Sequence, residues 1–474
     1  MKVLFIQQDV FKNYGTMLLS GILKENGHEC DILIDALEKY LMKEIRLINP
    51  DLIAFSISTT IYSWMKDTAK RIKLEFNKPI IVGGPHATFF PEVINDESVD
   101  IICVGEGEDA IIELVNKLKK GEDITKIKNL WVKKDGKIYK NPIRHAIENL
   151  DSIPYADRDI YRKYSLFRDQ NVDVFMSGRG CPYNCTFCFN KGYNELYKGK
   201  GKVLRRRSVP SIIDEIKKAI SNNKKVNYIV FYDDTFILGE KEWFNEFFRR
   251  YKNEVNLPFS ATVRANLVND EIINMLKTAG CNSVKMGIES ADPYIRNTIL
   301  KKGITNEQII DAVKIIKKNK LKFQFFNILG APGENINTAL DTYELSYKLH
   351  PQHAWCSLMH PFPGTELNEL VKQQNLVKKE HGFEDLDSSI FSSLPIHIEN
   401  KREIVNLQKL FQFGVFFRIP RKMMARLVKL HMDRLFELIF KINYGIGVKR
   451  MDNLSWSYLL KVALHSKNYF KKRK

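Results

Sequence analysis

The sequence lacks the features of a secreted or membrane-spanning protein. Its 474 residues contain no run of about 18 apolar residues, the length that a helix needs to cross a bilayer. The stretch from Met1 to Ile6 leads directly into a predicted strand, without the apolar core and cleavage site of a signal peptide. We therefore expect a cytoplasmic protein.

Cysteine is scarce, with seven residues in the chain. Three of them form one C-x3-C-x2-C run over residues 181–188. No second cysteine pair accompanies this run, whereas zinc sites usually combine paired C-x2-C units with a fourth ligand. Zinc is therefore the weaker interpretation. The other four cysteines stand alone in apolar segments, as buried free thiols do in a reducing compartment: Cys30, Cys103, Cys281 and Cys356.

The first 120 residues alternate short apolar strands with helical segments. This alternation predicts a parallel, doubly wound α/β sheet, which binds ligands beyond the carboxyl ends of its strands. No G-x-G-x-x-G follows the first strand, which argues against a dinucleotide site. The predicted strands are Lys2–Ile6, Cys30–Ile34, Leu52–Ser56, Ile80–Val82 and Ile101–Val104. The candidate binding residues in the loops after them are Ser58, Thr59, Gly83, Gly84, Pro85, His86, Gly105, Glu106 and Gly107.

A hairpin and a linker separate this part from a second alternation of strands and helices. Asp135-Gly136 is a hairpin turn pair, and Pro142 and Pro154 interrupt regular structure after it. From residue 171 the predicted strands are Val172–Met176, Tyr228–Tyr232, Phe259–Val263, Ser283–Gly287, Phe323–Leu329 and Ala354–Met359. In α/β barrels the chemistry lies at the carboxyl ends of the strands. That rule selects Asp233, Asp234, Arg264, Gly287, Glu289, Ser290, Gly330 and Pro332.

The three clustered cysteines lie on a short loop after the first of these strands. Gly178 and Gly180 let the backbone turn sharply just before Cys181. Three thiolates on one loop can bind three irons of a four-iron cluster and leave the fourth iron open. An open coordination site is where a substrate or cofactor binds.

The run from Ser177 to Cys188, with Phe187 before its last cysteine, resembles the cluster motif of the radical S-adenosylmethionine (SAM) enzymes. The resemblance implies that Cys181, Cys185 and Cys188 hold a [4Fe-4S] cluster. It also implies that SAM binds the open iron and is cleaved to a 5′-deoxyadenosyl radical. The six predicted strands suit the partial (β/α)6 barrel of that family.

The resemblance also implies roles for the residues at the strand ends. Asp233 and Asp234 would approach the amino group of SAM, although either could instead cap the next helix. Arg264 would pair with a bound carboxylate or with a structural one. Glu289 and Ser290 follow Gly287 in a G-x-E-S stretch beside SAM, and the turn with Gly330 and Pro332 would cradle the adenosine.

Two loops of the first part are similar to those of the cobalamin (B12)-binding domain found in one branch of these enzymes. They are Gly83-Gly84-Pro85-His86 and Gly105-Glu106-Gly107-Glu108, and the resemblance covers about the first 140 residues. The D-x-H-x-x-G motif that supplies a cobalt ligand in many cobalamin proteins is absent. We therefore expect His86 near the corrin and not on cobalt.

The resemblance implies a cobalamin domain over residues 1–140, a linker over 141–170, a radical SAM barrel over 171–375 and a helical region over 376–474. The activity it implies is radical modification of an unactivated carbon, most commonly by methyl transfer from methylcobalamin. An electron donor such as flavodoxin or ferredoxin would serve the cluster. Two alternatives are a B12-dependent cyclase or rearrangement enzyme without methylation, and an RNA methylthiotransferase. The latter class carries extra N-terminal cluster cysteines and a C-terminal RNA-binding β-barrel, and neither is evident in this sequence.

The C-terminal region is strongly basic. The net charge is +18, and residues 401–474 carry 18 Lys and Arg against 4 Asp and Glu, a net +14. After Pro420 we expect a helix with Met424, Leu427, Val428, Leu435, Leu438 and Ile439 on its apolar face, and the chain ends in Lys471-Lys472-Arg473-Lys474. Such a helix suits an anionic membrane surface and a lipid-linked substrate. The alternative is packing on the barrel, and nucleic acid is a weaker partner.

Overall fold

The computed structural model describes residues 1–377 and 389–466. The strands are β1 (Lys2–Gln7), β2 (Glu29–Ile34), β3 (Leu52–Ser56), β4 (Ile80–Gly83), β5 (Ile101–Cys103), β6 (Leu130–Lys134), β7 (Lys137–Lys140), β8 (Val172–Phe175), β9 (Gly178–Arg179), β10 (Arg205–Arg206), β11 (Tyr228–Phe231), β12 (Phe259–Val263), β13 (Cys281–Glu289), β14 (Lys322–Leu329) and β15 (His353–Leu358).

The helices alternate with these strands and then continue alone towards the C-terminus. They are α1 (Tyr14–Glu25), α2 (Leu41–Ile48), α3 (Tyr62–Phe76), α4 (Pro85–Phe89), α5 (Glu108–Lys120), α6 (Ser165–Arg168), α7 (Phe189–Leu196), α8 (Val209–Asn222), α9 (Lys241–Glu254), α10 (Asp270–Ala279), α11 (Asn306–Lys318), α12 (Ile336–Leu349), α13 (Glu366–Gln373), α14 (Lys401–Phe416), α15 (Arg421–Leu427), α16 (Asp433–Asp452) and α17 (Trp456–Ser466). The predicted α/β fold class is confirmed.

The first sheet has the order β2-β1-β3-β4-β5-β6-β7. Its first five strands are parallel, and the β6–β7 hairpin adds two antiparallel strands at one edge. Helices cover both faces, so strands such as Leu52–Ser56 are apolar on both sides. The hairpin turn uses positive φ angles at Asp135 (50°) and Gly136 (72°).

The second sheet has six parallel strands in the order β8-β11-β12-β13-β14-β15, an open half-barrel. The predicted strands of this part are confirmed with ends shifted by one or two residues. Its outer face packs against α8 to α11 through a core rich in phenylalanine, including Phe231, Phe247 and Phe259. The loop of residues 177–188, which contains the three clustered cysteines, follows the carboxyl end of β8, and we call it the cysteine loop.

The C-terminal helices pack on the half-barrel. Helix α14 buries Leu407 and Phe411 against β15 and α12. Helix α16 crosses the inner face of the sheet near the amino ends of the strands. There the Met451 carbonyl accepts hydrogen bonds from the hydroxyls of Tyr228 (2.9 Å) and Ser283 (3.0 Å). Helix α16 therefore forms the floor of the half-barrel.

The single amphipathic helix expected after Pro420 is wrong, because α15 ends at Leu427 and α16 begins at Asp433. Side chains of α14 bind the carbonyls of the intervening turn. Asn406 donates to the carbonyls of Val428 (2.8 Å) and Leu430 (3.2 Å), and Arg402 donates to that of Lys429 (2.6 Å). These bonds give partners to carbonyl groups at the end of α15 that the helix itself leaves unpaired, so the helix ends there and the chain turns.

The expected apolar face is consequently divided. Met424 and Val428 are buried against the half-barrel, whereas Leu435 and Leu438 are exposed. The basic cluster Lys471-Lys472-Arg473-Lys474 lies outside the described residues.

Substitutions at two glycines of α16 can test how this helix packs on the half-barrel. We expect Gly447→Ala to destabilise the protein, because the added methyl group would collide with the buried imidazole of His353. Overpacking of this kind costs about 1–3 kcal/mol. Nothing lies within 4 Å of a methyl group added at Gly445. There Gly445→Ala should gain about 0.5–1 kcal/mol from helix propensity. Urea unfolding measures both changes, and equal midpoints for the two variants would refute the docking.

Candidate functional site

A cavity of about 590 Å³ lies between the two sheets. One side is formed by the carboxyl ends of β3, β4 and β5, with Ser56, Gly83 and Gly105 among its lining residues. The other side is formed by the cysteine loop and α7, including Gly180 and Tyr193. The cavity has the size and location expected of a ligand site at the carboxyl edge of a parallel sheet.

Glycine is required at two positions of the cavity wall. A Cβ at Gly84, where φ is +93°, would lie 2.7 Å from the Ile57 carbonyl oxygen. A Cβ at Gly105, where φ is +80°, would collide with the Tyr197 hydroxyl. Both glycines therefore let other protein groups pack closely, the Ile57 backbone at Gly84 and the Tyr197 side chain at Gly105, and the wall consists of small residues.

The candidate cobalamin-binding residues fall into two groups. Gly83, Gly84, Gly105, Glu106 and Gly107 line the cavity. The remaining candidates, Ser58, Thr59, Pro85 and His86, are not among its lining residues.

His86 is fully buried behind the cavity wall. Its Nδ1 lies 3.2 Å from the Thr59 hydroxyl, and its ring packs between Tyr62 and Phe90. Burial lowers the pKa of His86 to about 4, so the imidazole is neutral. His86 therefore lies behind the residues that line the cavity and does not line it itself.

Residues on both sides of the cysteines, Gly180 and Asn190, line the same cavity, whereas the three cysteines are not among its lining residues. Cys185 is buried, and Cys181 and Cys188 are half-buried. Asn190 lies with its amide 3.7 Å from the Cys188 sulfur, and Asn194 donates to the Cys181 carbonyl at 2.9 Å. Within the described residues no three His, Cys, Asp or Glu side chains converge as ligands of one metal ion. A cluster fits three loop thiolates, because it binds each thiolate at a separate iron.

Asp233 fixes the start of the cysteine loop. Its carboxylate accepts hydrogen bonds from the backbone N–H (3.0 Å) and the hydroxyl (2.5 Å) of Ser177. Arg206 donates to the same hydroxyl at 3.0 Å. Asp233 is buried, and burial raises its pKa. Its neighbour Asp234 is exposed and lines the cavity, so Asp234 is the better placed of the two to meet a ligand.

Glu289 forms a buried ion pair with Lys302, with 2.8 Å between Oε1 and Nζ. It has a positive φ of 63° at a bulge between β13 and β14, a conformation that costs a non-glycine residue energy. A Cβ at Gly287 would collide with the Glu289 carboxylate and lie 2.8 Å from Lys302 Nζ. Gly287 therefore makes room for this ion pair.

Arg264 supports the cysteine loop from the end of β12. Its guanidinium stacks on Tyr183, 3.6 Å from the ring centroid, and donates to the Lys302 carbonyl. Arg264 therefore links Lys302, the cation of the ion pair, to Tyr183 in the loop that carries Cys181 and Cys185.

The other candidates at the strand ends are held by neighbouring protein groups. The Ser290 hydroxyl lies 3.3 Å from that of Thr342 and accepts from the Asp292 N–H. Gly330 donates its N–H to Glu334, which holds the turn containing Pro332. Burial raises the pKa of Glu334 to about 8. Ser290 and Gly330 thus have structural partners of their own.

Aromatic side chains line the inner face of the half-barrel above its floor. Phe326 of β14 contacts Trp355 of β15, with ring centroids 5.2 Å apart. Trp355 contacts Phe391 at 5.3 Å, and Phe391 contacts Phe440 and Tyr444 of α16, both at 5.3 Å. We call these five residues the aromatic wall. Nothing in the sequence marked Phe391, Phe440 or Tyr444, because they reach the barrel only through the path of the C-terminal region.

Tyr232 lies next to Asp233 at the end of β11, and its side chain is 51% exposed. Burial raises its pKa to about 12, so the phenol is neutral.

A second cleft of about 700 Å³ lies between α1, the linker and α8. It contains Arg158, which pairs with Asp173 (2.8 Å) and Glu215 (2.9 Å). These buried charges satisfy one another, and the cleft is not lined by the cysteine loop.

Comparison with known proteins agrees with this arrangement. The family model of the radical SAM superfamily matches residues 175–346, and that of the B12-binding domain matches residues 8–115. Among solved structures, the cobalamin-dependent S-adenosylmethionine radical enzyme OxsB has the same fold, with a TM-score of 0.71 and 14% identity over 100% of this chain and 82% of that chain.

Three curated relatives cover most of the chain. An uncharacterized methyltransferase of Pyrococcus horikoshii is 33% identical over 77% of this chain and 79% of its own. A putative methylthiotransferase of Methanocaldococcus jannaschii is 28% identical over 81% and 85%. An anaerobic magnesium-protoporphyrin IX monomethyl ester cyclase of Rubrivivax gelatinosus is 25% identical over 74% and 64%. The chain therefore belongs to the radical SAM enzymes that carry a B12-binding domain, whose cofactors are a [4Fe-4S] cluster, SAM and cobalamin.

Proposed function

We propose that the protein transfers a methyl group to an unactivated carbon of a small or lipid-linked substrate. The observation that carries the proposal is one cavity lined both by the loops of the first sheet and by Arg179, Gly180 and Asn190, which flank the three clustered cysteines. When bound, the cofactors supply a 5′-deoxyadenosyl radical that removes a hydrogen atom from the substrate and a methyl group that replaces it. The similarity to the Pyrococcus horikoshii methyltransferase supports methyl transfer.

The chain's own residues hold and orient these groups. Cys181, Cys185 and Cys188 ligate the cluster, and the glycine-lined wall around Gly83 and Gly105 receives the corrin. Asp234, at the cavity edge, accepts N–H groups from the amino end of SAM. The Glu289–Lys302 pair sits at the end of β13 with its charges mutually satisfied, so it offers polar contacts without adding net charge.

The aromatic wall supports a substrate whose reacting part is apolar. Nearby charges are paired: Lys285 with Asp452 at 2.6 Å below the wall, and Lys302 with Glu289 at 2.8 Å above it. Burying an unpaired charge between them would be costly. Reductive cleavage of SAM needs one electron from outside, for which we propose flavodoxin or ferredoxin.

Two other activities, ring formation and methylthiolation, are suggested by the names of relatives. The Rubrivivax gelatinosus relative is a cyclase, so ring formation without methylation is the first alternative. The Methanocaldococcus jannaschii relative is a putative methylthiotransferase. Against methylthiolation of RNA, the first 150 residues contain only Cys30 and Cys103 as cysteines, and the described part of the C-terminal region is helical where that class has a β-barrel.

We also propose that a mixed basic and apolar surface brings the protein to a membrane. Among the described residues no helix is both long enough and apolar enough to cross a bilayer. On α15 and α16, however, Met423 (52%), Leu438 (55%) and Ile442 (54%) are exposed. Three exposed cations lie on the same segment, Lys422 just before Met423, and Arg426 and Lys429 after it. Apolar groups interspersed with cations suit an anionic bilayer.

The cluster assignment predicts the effect of removing thiolates. Replacing Cys181, Cys185 and Cys188 together by Ala should abolish iron binding after anaerobic reconstitution and all formation of 5′-deoxyadenosine. Cys281→Ala and Cys356→Ala should retain both, because these thiols are buried in the cores of the half-barrel. Reductive cleavage of SAM by the triple variant would show the assignment to be wrong.

The corrin assignment predicts that Gly83→Val weakens cobalamin retention. A Cβ at Gly83 meets only Cys103 at 3.7 Å, so the side chain is compatible with the fold, yet the position lines the cavity. We expect affinity to fall roughly tenfold or more, about 1.4 kcal/mol. Equilibrium dialysis with hydroxocobalamin measures it, with Gly445→Ala as the remote control. The Co(II) form should also show no nitrogen splitting from His86 in electron paramagnetic resonance. Such splitting, or unchanged retention in Gly83→Val, would contradict the assignment.

The membrane proposal predicts charge-dependent binding to vesicles. Truncation before α14 is not a clean test, because α14 and α16 are part of the half-barrel's packing. A full-length variant with Lys422, Arg426 and Lys429 replaced by Glu keeps that packing. Each cation contributes about 1 kcal/mol near an anionic surface, so binding should fall roughly a hundredfold.

Co-sedimentation with anionic and neutral vesicles measures the difference. The control variant replaces three exposed cations of the first part, Lys70, Arg71 and Lys119, by Glu and so has the same net charge. Equal loss of binding in both variants, or no binding by the unmodified chain at low salt, would contradict the membrane proposal.

A further inference from the structure

We propose that Arg179 is a positioning residue that sets the separation between the corrin and the cluster. It does so through four side chains that we call the clasp: Arg179, Arg205, Glu106 and Glu108. The inference rests on the proposed function, since it concerns where the two cofactors lie relative to each other. It assigns Glu106 a role different from direct cobalamin binding.

The clasp joins the first sheet to the cysteine loop by direct ion pairs. Arg179 Nη1 lies 3.1 Å from Glu106 Oε1, and its Nη2 lies 2.5 Å from Glu108 Oε1. Arg205 Nη2 lies 2.7 Å from Glu106 Oε1. Glu106 and Glu108 follow β5, whereas Arg179 and Arg205 pair with each other in the two-stranded β9–β10 ribbon beside the cysteines.

The clasp is buried and electrically balanced. Side-chain exposure ranges from 9% for Glu108 and Arg205 to 18% for Arg179. Burial alone would raise the pKa of Glu106, but the hydrogen bond from Arg205 and the charges of both arginines lower it below its usual value. Two cations face two anions, so loss of one member leaves a buried charge without its partner.

Each end of the clasp lies next to a cofactor position. Glu106 is part of the loop 105–107 that lines the cavity, and its backbone N–H donates to the Tyr197 hydroxyl at 2.7 Å. Arg179 precedes Cys181 by two residues, and the intervening Gly180 has no space for a Cβ because the Val203 carbonyl packs against it. A shift of the Arg179 guanidinium is therefore transmitted to the first cluster ligand.

Arginine is needed at this position because one planar fork contacts two carboxylates. Its two Nη atoms bind Glu106 and Glu108 separately. A lysine ammonium is a single point charge and cannot reproduce both contacts in the same geometry. Arg179→Lys should therefore keep the charge and lose the fixed geometry.

The matched control is Arg158, another buried arginine between two carboxylates. It pairs with Asp173 and Glu215 beside the second cleft, and it contacts neither the cavity nor the cysteine loop. Arg158→Gln therefore removes an equivalent set of buried ion pairs without touching the clasp. Any effect that Arg179→Gln shares with Arg158→Gln reflects general destabilisation.

The experiment measures the magnetic interaction between Co(II) cobalamin and the reduced cluster in the reconstituted full chain. We expect a resolved dipolar splitting in the unmodified protein and in Arg158→Gln. Arg179→Gln should lose the resolved splitting, and Arg179→Lys, which keeps the charge and is less disruptive to folding, should broaden it. Splittings in both Arg179 variants identical to the unmodified protein would overturn the inference.

Hydrogen exchange on the chain without cofactors gives a second, independent readout. Arg179→Gln should accelerate exchange in both residues 104–108 and residues 178–182, whereas Arg158→Gln should not. Unchanged exchange in both segments of Arg179→Gln would contradict the proposal that the clasp joins these two loops. If the unmodified protein retains no corrin, the proposed function fails, and hydrogen exchange still decides whether the clasp joins the two loops.

Discussion

The buried carboxylate of Asp233 fixes the loop on which the rest of the site depends. Its two oxygens bind the N–H and the hydroxyl of Ser177, four residues before Cys181, and Arg206 completes the network from the other side. A buried carboxylate without these partners would be strongly destabilising, so the loop has one favourable path out of β8. From that path the chain passes Arg179 and Gly180, which line the cavity, just before Cys181.

The C-terminal region completes the half-barrel. The six parallel strands form an open sheet whose two edge strands do not pair with each other, so its inner face needs a cover. Helix α16 supplies it by accepting hydrogen bonds at Met451 and by pairing Asp452 with Lys285. The same helix contributes Phe440 and Tyr444 to the aromatic wall and exposes Leu438 and Ile442 to solvent. The proposed membrane surface and the proposed substrate wall thus share residues of this helix.

Much of the fold follows from local patterns in the sequence. The strands of both sheets are apolar runs bounded by turns, and the Asp135-Gly136 hairpin follows from turn chemistry. The cysteine loop was identifiable because all its ligands lie within a few residues. The path after Pro420 was not, because Asn406 and Arg402 end α15 from a different helix. Helical spacing carries no information about such a contact.

The roles of individual site residues were harder to predict for the same reason. Glu106 lies in a motif typical of cobalamin domains, but its partners Arg179 and Arg205 are about 70 and 100 residues away in sequence. Asp233 and Asp234 are adjacent, and only the structure separates the buried one from the one at the cavity. Motifs therefore located the site, while burial and long-range pairing distinguish the residues that hold it from those that face a ligand.

Radical methyl transfer can be tested by incubating the reconstituted, reduced protein with SAM that carries a deuterated methyl group and analysing the products by mass spectrometry. We expect both 5′-deoxyadenosine and S-adenosylhomocysteine, with the deuterated methyl group recovered on cobalamin. Formation of 5′-deoxyadenosine with neither S-adenosylhomocysteine nor a labelled corrin would contradict methyl transfer and favour cyclisation or rearrangement.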